Sequence, residues 1–225
     1  REILVLARRE KREIFVGLAL RFIGVAFQIK GDFAKSDAVL ARSAEVFEDL
    51  AIVNRPYTIS LLGAKCYIGE NHQWRGDFAK AREIFEQCIA ECEKRGFFWG
   101  CSHFHAQMAN LAFDMGDTEL MNSHIKIGAE LFETCRGGIC GSALYSLKCI
   151  AEAREGRYGD ALRSIEVSEL ISSIKKKSWR SVHLMAKAYL AEMKDKGILP
   201  KEFDSVVVKS SEEYAKEAAA MCRDI

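Results

Sequence analysis

The stretch Gly31-Asp32-Phe33-Ala34-Lys35 occurs a second time, letter for letter, as Gly76-Asp77-Phe78-Ala79-Lys80. Weaker copies follow at Gly116-Asp117-Thr118, Gly156-Arg157-Tyr158 and Gly197-Ile198-Leu199. Successive glycines in this series are 45, 40, 40 and 41 residues apart. Because self-similarity at a fixed period is typical of chains built from stacked supersecondary units, the series predicts five such units.

The residues on either side of each turn glycine repeat as well. Seven residues before the glycine, a small side chain is found in four units, at Gly24, Gly69, Ala109 and Cys149, with Leu190 as the exception. Five residues after it stand Ser36, Ala81, Met121 and Ala161, and nine residues after it stand Leu40, Phe85, Ile125, Ile165 and Val206. These offsets have the period of a helix, and a small side chain on one helix lets another helix approach closely. Each unit is therefore predicted to be a helical hairpin.

The turn chemistry supports the hairpins. Glycine at the end of a helix adopts the left-handed conformation without a side-chain penalty, and the Asp that follows can cap the next helix. We therefore predict no strands and ten helices, at about residues 8–30, 33–52, 57–74, 78–95, 98–114, 117–135, 141–155, 158–174, 179–195 and 201–223.

Composition excludes several classes of protein. The 33 Lys and Arg residues nearly balance the 32 Asp and Glu residues, so the global positive charge of a nucleic-acid-binding domain is absent. The longest apolar stretch, Ile14 to Ile29, is broken by Arg21 and is shorter than the roughly 20 residues of a membrane span. The 8 cysteines follow no secretory leader, which favours reduced thiols and a cytoplasmic location. Because the chain begins at Arg1, without Met and inside an amphipathic pattern, we expect it to be a piece of a longer protein.

The repeated pattern resembles the tetratricopeptide repeat. The resemblance rests on a small residue on the first helix, Gly-Asp-aromatic at the turn, and Ala followed by a large apolar residue on the second helix. It covers essentially the whole chain and is strongest in units two and four. The period of about 40 exceeds the usual 34, and the proline that usually closes a unit is missing. Long, proline-poor units of this kind are similar to the sensor arrays of bacterial LuxR- and STAND-like transcription regulators.

The resemblance implies an all-α fold over residues 1–225, a right-handed superhelix of five hairpins in a single domain. The units are expected at about residues 8–55, 56–97, 98–136, 137–177 and 178–225. Such arrays bind partners on the concave surface that the first helix of each pair lines. The groove positions carried over from the family are Arg21, Gln28, Glu70, Gln73, Trp74, His103, Asn110, Phe113, Arg154 and Lys187.

These groove residues suggest a peptide or small organic ligand, because aromatics stand beside amides and single charges. Arg21, Arg154 and Lys187 are expected to steer an anionic ligand. The alternative is that the same residues are only the solvated inner face of a scaffold. A chaperone-tail receptor is disfavoured, since the family's carboxylate clamp needs Asn one turn after the basic residue and Arg21 is followed by Val25.

A zinc site is the sharpest chemical alternative. Cys88 and Cys92 lie four apart on a second helix, and Cys101 and His105 lie four apart on the next first helix. If the turn Arg95–Trp99 folds these helices antiparallel, the four side chains form a Cys₃His set compatible with tetrahedral zinc. Cysteine is also a small residue that packs well between helices, and we favour this reading, with no metal bound.

Other motifs are weaker. Gly137-Gly138-Ile139-Cys140-Gly141-Ser142 could hold an anion on backbone N–H groups, but it lacks the Gly-Lys-Ser/Thr ending of a phosphate loop. Lys175-Lys176-Lys177 with Trp179 and Arg180 could contact nucleic acid or an acidic protein, although a solvated loop is the simpler reading. The basic cluster Arg8, Arg9, Lys11 and Arg12 is interleaved with Glu10 and Glu13, as on a helix surface.

No catalytic or cofactor-binding motif is present. The histidines are scattered over four of the predicted helices without a paired acid at a suggestive spacing: His72, His103, His105, His124 and His183. We therefore expect a non-catalytic binding module without a cofactor, the sensor or interaction arm of a signalling or transcription regulator. It would bind a protein, peptide or small effector, with self-association as a further option, but neither nucleic acid nor membrane. The alternative is a free-standing scaffold that assembles protein complexes.

Overall fold

The structure, a computed structural model, describes residues 12–54, 56–135, 140–174 and 180–223. In these ranges the chain forms ten α-helices, one 3-10 helix and no strand. The α-helices are α1 Glu13–Ile29, α2 Phe33–Val53, α3 Tyr57–Trp74, α4 Phe78–Arg95, α5 Phe98–Met115, α6 Thr118–Thr134, α7 Gly141–Arg154, α8 Tyr158–Ile174, α9 Arg180–Asp195 and α10 Ser211–Arg223. None of them is long and apolar enough to cross a membrane.

Successive helices pack in pairs, so that α1 with α2, α3 with α4, α5 with α6, α7 with α8 and α9 with α10 form five hairpins. The strand-free fold of five hairpins predicted from the repeat is confirmed in the part of the chain described. The predicted start of the first helix near residue 8 lies outside the described residues. So do Arg8, Arg9 and Lys11 of the basic cluster, Gly137 to Ile139 of the glycine loop, and residues 175–179 of the basic loop.

The five turn glycines behave as predicted. Each has a positive φ: 73° at Gly31, 79° at Gly76, 73° at Gly116, 74° at Gly156 and 68° at Gly197. In the first three turns the following Asp caps the second helix, because its side chain accepts a hydrogen bond from the backbone N–H three residues on. The repeated Gly-Asp pair therefore ends one helix and starts the next.

The small and large positions of the repeat meet inside the hairpins. A Cβ atom added at Gly24 would lie 2.6 Å from Leu40, and one added at Gly69 would lie 2.5 Å from the ring of Phe85. Leu40 and Phe85 are fully buried. Because the glycine on the first helix has no side chain, the large side chain of the second helix can pack directly against it.

The last hairpin differs from the prediction of one helix over residues 201–223. The chain instead forms the 3-10 helix Lys201–Ser205, buries Val206 and Val207, and begins α10 at Ser211. Ser210 and Glu213 form a capping box: the Ser210 backbone N–H donates to Glu213 (2.9 Å), and the Glu213 backbone N–H donates to the Ser210 hydroxyl (3.3 Å). This cap starts a new helix where a continuous one was expected.

The chain divides into two compact units, Arg1–Gly96 and Phe97–Ile225. That residues 1–225 form a single domain stays a prediction. In the first unit Phe47 packs with Ala44, Leu61 and Ala64. In the second unit the largest cluster of buried apolar side chains gathers residues of α7, α8, α9, the 3-10 helix and α10.

Candidate functional site on the first helices

Two predicted groove residues meet in the first compact unit, between α1 and α3. The buried Gln28 side chain donates from Nε2 to the carbonyl oxygen of Tyr67 (3.3 Å) and to Oε2 of Glu70 (3.4 Å). The Cys66 thiol lies 3.8 Å from the other carboxylate oxygen of Glu70. The first helices of two neighbouring hairpins are therefore joined by a polar cluster.

Arg21 lies beside this cluster. A Cβ atom at Gly63 would come within 3.0 Å of its Nη1 atom, so the absence of a side chain at Gly63 makes room for the guanidinium. The guanidinium carbon is 5.8 Å from the centre of the Phe22 ring. Burial raises the pKa of Tyr67, the charge of Glu70 raises it further, and the charge of Arg21 opposes both effects. The charges of Glu70 and Arg21 therefore act on the Tyr67 hydroxyl in opposite directions.

Gln73 and Trp74 lie at the end of α3 and have different surroundings. Gln73 is buried, whereas 54% of the Trp74 surface is exposed. The Trp74 ring meets Phe33, the first residue of α2, edge to face with 6.1 Å between ring centres. Trp74 is therefore open to a partner on one side and held by Phe33 on the other.

In the second compact unit the structure brings Phe113 and Arg154 together and adds Tyr189. The guanidinium carbon of Arg154 lies 5.4 Å from the centre of the Phe113 ring and 5.3 Å from that of the Tyr189 ring. The three residues come from α5, α7 and α9, the first helices of three successive hairpins. Arg154 is exposed, and both rings are half-buried. We call this group the Arg154 clamp.

Lys187 does not belong to the clamp. It is buried, its ammonium lies 3.0 Å from Oε1 of Glu169 on α8, and it lies 5.9 Å from the ring of Tyr214 on α10. Lys187 therefore faces second helices, and its charge is neutralised inside the second unit. We leave Lys187 and the buried Gln73 out of the proposed binding surface.

His103 and Asn110 lie on α5 and are half-buried. Burial lowers the pKa of His103 to about 4, so its ring is neutral near pH 7. Its ring also contacts Phe104, with 5.2 Å between ring centres. The clamp includes neither residue, and their role in binding stays a prediction.

Two of the four residues in the zinc hypothesis, Cys88 and His105, have surroundings that do not favour a metal site. Burial raises the pKa of the Cys88 thiol to about 12, which opposes formation of the thiolate that zinc needs. His105 lies against His124, with 2.8 Å between their Nδ1 atoms. Within the described ranges, no group of three or more His, Cys, Asp or Glu side chains is placed to hold a metal ion. We do not carry the zinc hypothesis forward.

Sequence reasoning missed Tyr67 and Tyr189. In the fifth unit the family pattern selects Lys187, which stands two residues before Tyr189. Two residues on an α-helix are about 200° apart around the axis, so Lys187 and Tyr189 face nearly opposite directions. Tyr67 and Tyr189 are both aromatic residues on first helices, which could have marked them as candidates for the groove. Because the period of the repeat varies, the pattern did not show which positions of the first helix face the groove.

Comparison with known proteins gives information on the fold. No protein-family profile matches this sequence, and no curated protein is significantly similar to it. The crystal structure of the apo form of RapI matches with a TM-score of 0.61 and 14% sequence identity, over 94% of this chain and 65% of the RapI chain. At this identity the similarity concerns the fold alone. The chain is thus an all-α helical-repeat protein with a tetratricopeptide-like fold.

Proposed function

We propose that this chain is a non-catalytic binding module whose first helices take up a protein, a peptide or a small effector. The Arg154 clamp is the observation that carries the proposal. Three successive first helices of the second unit contribute one exposed cation and two half-buried aromatic rings to this group. Arginine and aromatic residues are the side chains most often found where binding energy is concentrated.

The arrangement of possible nucleophiles supports a non-catalytic role. The Ser168 hydroxyl lies 2.9 Å from Nδ1 of His183, which is the distance expected of a nucleophile and its base. Both side chains are buried, and the same hydroxyl also donates to the carbonyl oxygen of Ser142 (2.9 Å). A substrate has no access to this pair, so we assign it to the packing of α7, α8 and α9.

Selection from a peptide library tests the proposal. The purified chain is used to select binders from displayed random peptides, and the synthetic binders are then titrated against the wild type and against Phe113→Ala. We expect the Phe113 variant to bind at least about tenfold more weakly, because it loses aromatic contact area in the clamp. Failure to select any peptide, or equal binding by the variant, would count against a binding surface on the first helices.

The wider context is also a proposal. We place the module in the cytoplasm, as the sensor or interaction arm of a signalling or transcription regulator, on the basis of its long, proline-poor repeats. Among the cysteines whose side chains the structure describes, none forms a disulfide, which agrees with a reducing compartment. Sequencing the complete gene decides between the arm and a free-standing scaffold. A nucleotide-binding or helix-turn-helix segment in the same reading frame supports the arm, and its absence supports the scaffold.

A further inference from the structure

We propose that Arg154 binds a carboxylate of the partner, so that the ligand of the second unit is a peptide or protein segment with an acidic side chain or a free C-terminus. This inference rests on the proposed binding function and names the chemistry that the partner must carry. It follows from the position of the guanidinium, from its unsatisfied donors and from the charges around it.

The rings of Phe113 and Tyr189 contact the Arg154 guanidinium without accepting hydrogen bonds from its N–H donors. A guanidinium has five N–H donors in its own plane, and attraction to the face of an aromatic ring engages the cation rather than these donors. Across the described ranges, no carboxylate lies within ion-pair distance of Arg154 and no acceptor takes a hydrogen bond from it. The planar fork of donors matches the two oxygens of a carboxylate.

Three cations that lie near Arg154 in the sequence, on α9 or directly after α9 form ion pairs, whereas Arg154 has none in the described ranges. Arg157, at the turn directly after α7, pairs with Glu155 (2.7 Å) and Asp160 (3.0 Å). Lys187 of α9 pairs with Glu169, and Lys196, directly after α9, pairs with Glu192. Within the described residues the charge of Arg154 therefore has no ion-pair partner, and an anionic partner is the complement of that charge.

The clamp fits a carboxylate better than a nucleic-acid backbone. It contains one cation and two uncharged rings, which suits a group with a single negative charge. Proteins that track a nucleic-acid backbone bring several cations to successive phosphates. The Phe113 and Tyr189 rings would instead pack against the apolar part of a peptide that is anchored by its carboxylate.

The experiment pairs variants of the protein with variants of the ligand. A peptide selected on the whole chain is synthesised in its parent form, with each Glu or Asp replaced by Gln or Asn, and with an amidated C-terminus. Dissociation constants are measured for wild type, Arg154→Gln, Arg154→Lys and the matched control Arg163→Gln. Arg163 is an exposed arginine on α8 that pairs with Asp160. Melting temperatures confirm that each variant is folded.

We expect Arg154→Gln to lower the affinity for the parent peptide at least about tenfold. Its affinity for the peptide form that lacks the bound carboxylate should equal that of the wild type. Arg154→Lys should restore only part of the affinity, because lysine lacks the planar fork, and Arg163→Gln should bind as the wild type does. One peptide form should bind the wild type as weakly as the parent peptide binds Arg154→Gln. That form shows whether the bound carboxylate is a side chain or the C-terminus.

Two failures are distinguishable. In the first, a peptide binds the wild type, but Arg154→Gln lowers the affinity for the parent peptide and for its neutralised forms by the same factor. The carboxylate inference is then wrong, and the binding function stands. If the whole chain selects no peptide, the proposed function is contradicted, and the inference fails with it.

Discussion

Gly69 and Phe85 share one space inside the second hairpin, and the fit is tight at the level of single atoms. A Cβ atom at position 69 would lie 2.5 Å from the Phe85 ring, a distance at which the ring must move. Phe85 is fully buried, so its neighbours would have to move with it. The close approach of α3 and α4 therefore depends on a missing side chain.

Gly69→Ala should destabilise the protein by about 1–3 kcal/mol, the usual cost of overpacking a core. Gly159→Ala is the matched control, because the nearest atom to a Cβ atom there is 3.9 Å away on the exposed Arg163. That substitution should stabilise by up to about 1 kcal/mol, since alanine favours a helix more than glycine does. Chemical denaturation of the two variants and the wild type measures both changes. A neutral Gly69→Ala would mean that the helices are not in close contact there.

Trp74→Ala should have a small effect on stability because much of the ring is exposed. The loss of its edge-to-face contact with Phe33 should cost about 1 kcal/mol. Phe47→Ala, which removes a fully buried ring of the first unit, should cost about 3–5 kcal/mol and serves as the comparison. Thermal melting separates the two outcomes. If Trp74→Ala lowered the melting temperature as much as Phe47→Ala does, Trp74 would belong to the core and not to the binding surface.

Two histidines of the third hairpin make its stability depend on pH. Burial lowers the pKa of His103 and of His105 from the ordinary 6.5 to about 4, and the charge of His124 contributes at His105. The unfolded chain therefore takes up protons more readily than the folded chain between pH 6.5 and 4, and stability falls as the pH decreases through this range.

At pH 5.5 the two histidines together should lower the free energy of unfolding by on the order of 2–3 kcal/mol relative to pH 7.5. Melting temperatures recorded from pH 7.5 to 4.5 check the trend, and a variant carrying His103→Gln and His105→Gln should show a flatter profile. An equally steep profile in that variant would show that other groups cause the pH dependence.

At the scale of helices and turns, the elements that follow the repeat could be predicted and those that depart from it could not. Gly31 and Asp32 have a local role, because the glycine ends α1 and the aspartate caps α2 through backbone atoms nearby. The same holds for the Gly24 and Leu40 contact, since helical spacing places both residues in the hairpin interface. The chemistry of the turn residues and the helical period of the repeat are therefore sufficient to predict the hairpins.

The Arg154 clamp could be predicted only in part. Phe113 and Arg154 stand near the ends of their helices, close to a turn glycine that sets the register. Tyr189 stands eight residues before Gly197, and its direction depends on how α9 packs against α7. Such contacts between hairpins depend on tertiary packing, which the repeat pattern leaves undetermined.

The capping box of the last hairpin gives a test at the level of an element. Ser210→Ala should destabilise α10 by about 0.5–2 kcal/mol, because the Glu213 backbone N–H loses its acceptor. Ser211→Ala, one residue inside the helix, should be nearly neutral. Denaturation of both variants gives the comparison. Equal effects of the two substitutions would contradict the cap at Ser210.

At the scale of the whole molecule, the two kinds of helix carry different surfaces. Second helices present exposed charges that pair with one another along the same helix, as Lys80 does with Glu83 and Arg82 with Glu86. First helices contribute the polar cluster around Gln28 and Glu70 in one unit and the Arg154 clamp in the other. This division of chemistry is what a binding role for the first helices requires.

Hydrogen exchange of the whole chain, with and without a selected peptide, tests this account most directly. We predict that the peptide slows exchange in α5, α7 and α9 around Phe113, Arg154 and Tyr189, and that Arg154→Gln abolishes this protection at the same peptide concentration. Protection confined to the second helices α6, α8 and α10, or unchanged in Arg154→Gln, would contradict the claim that this chain binds its partner on its first helices.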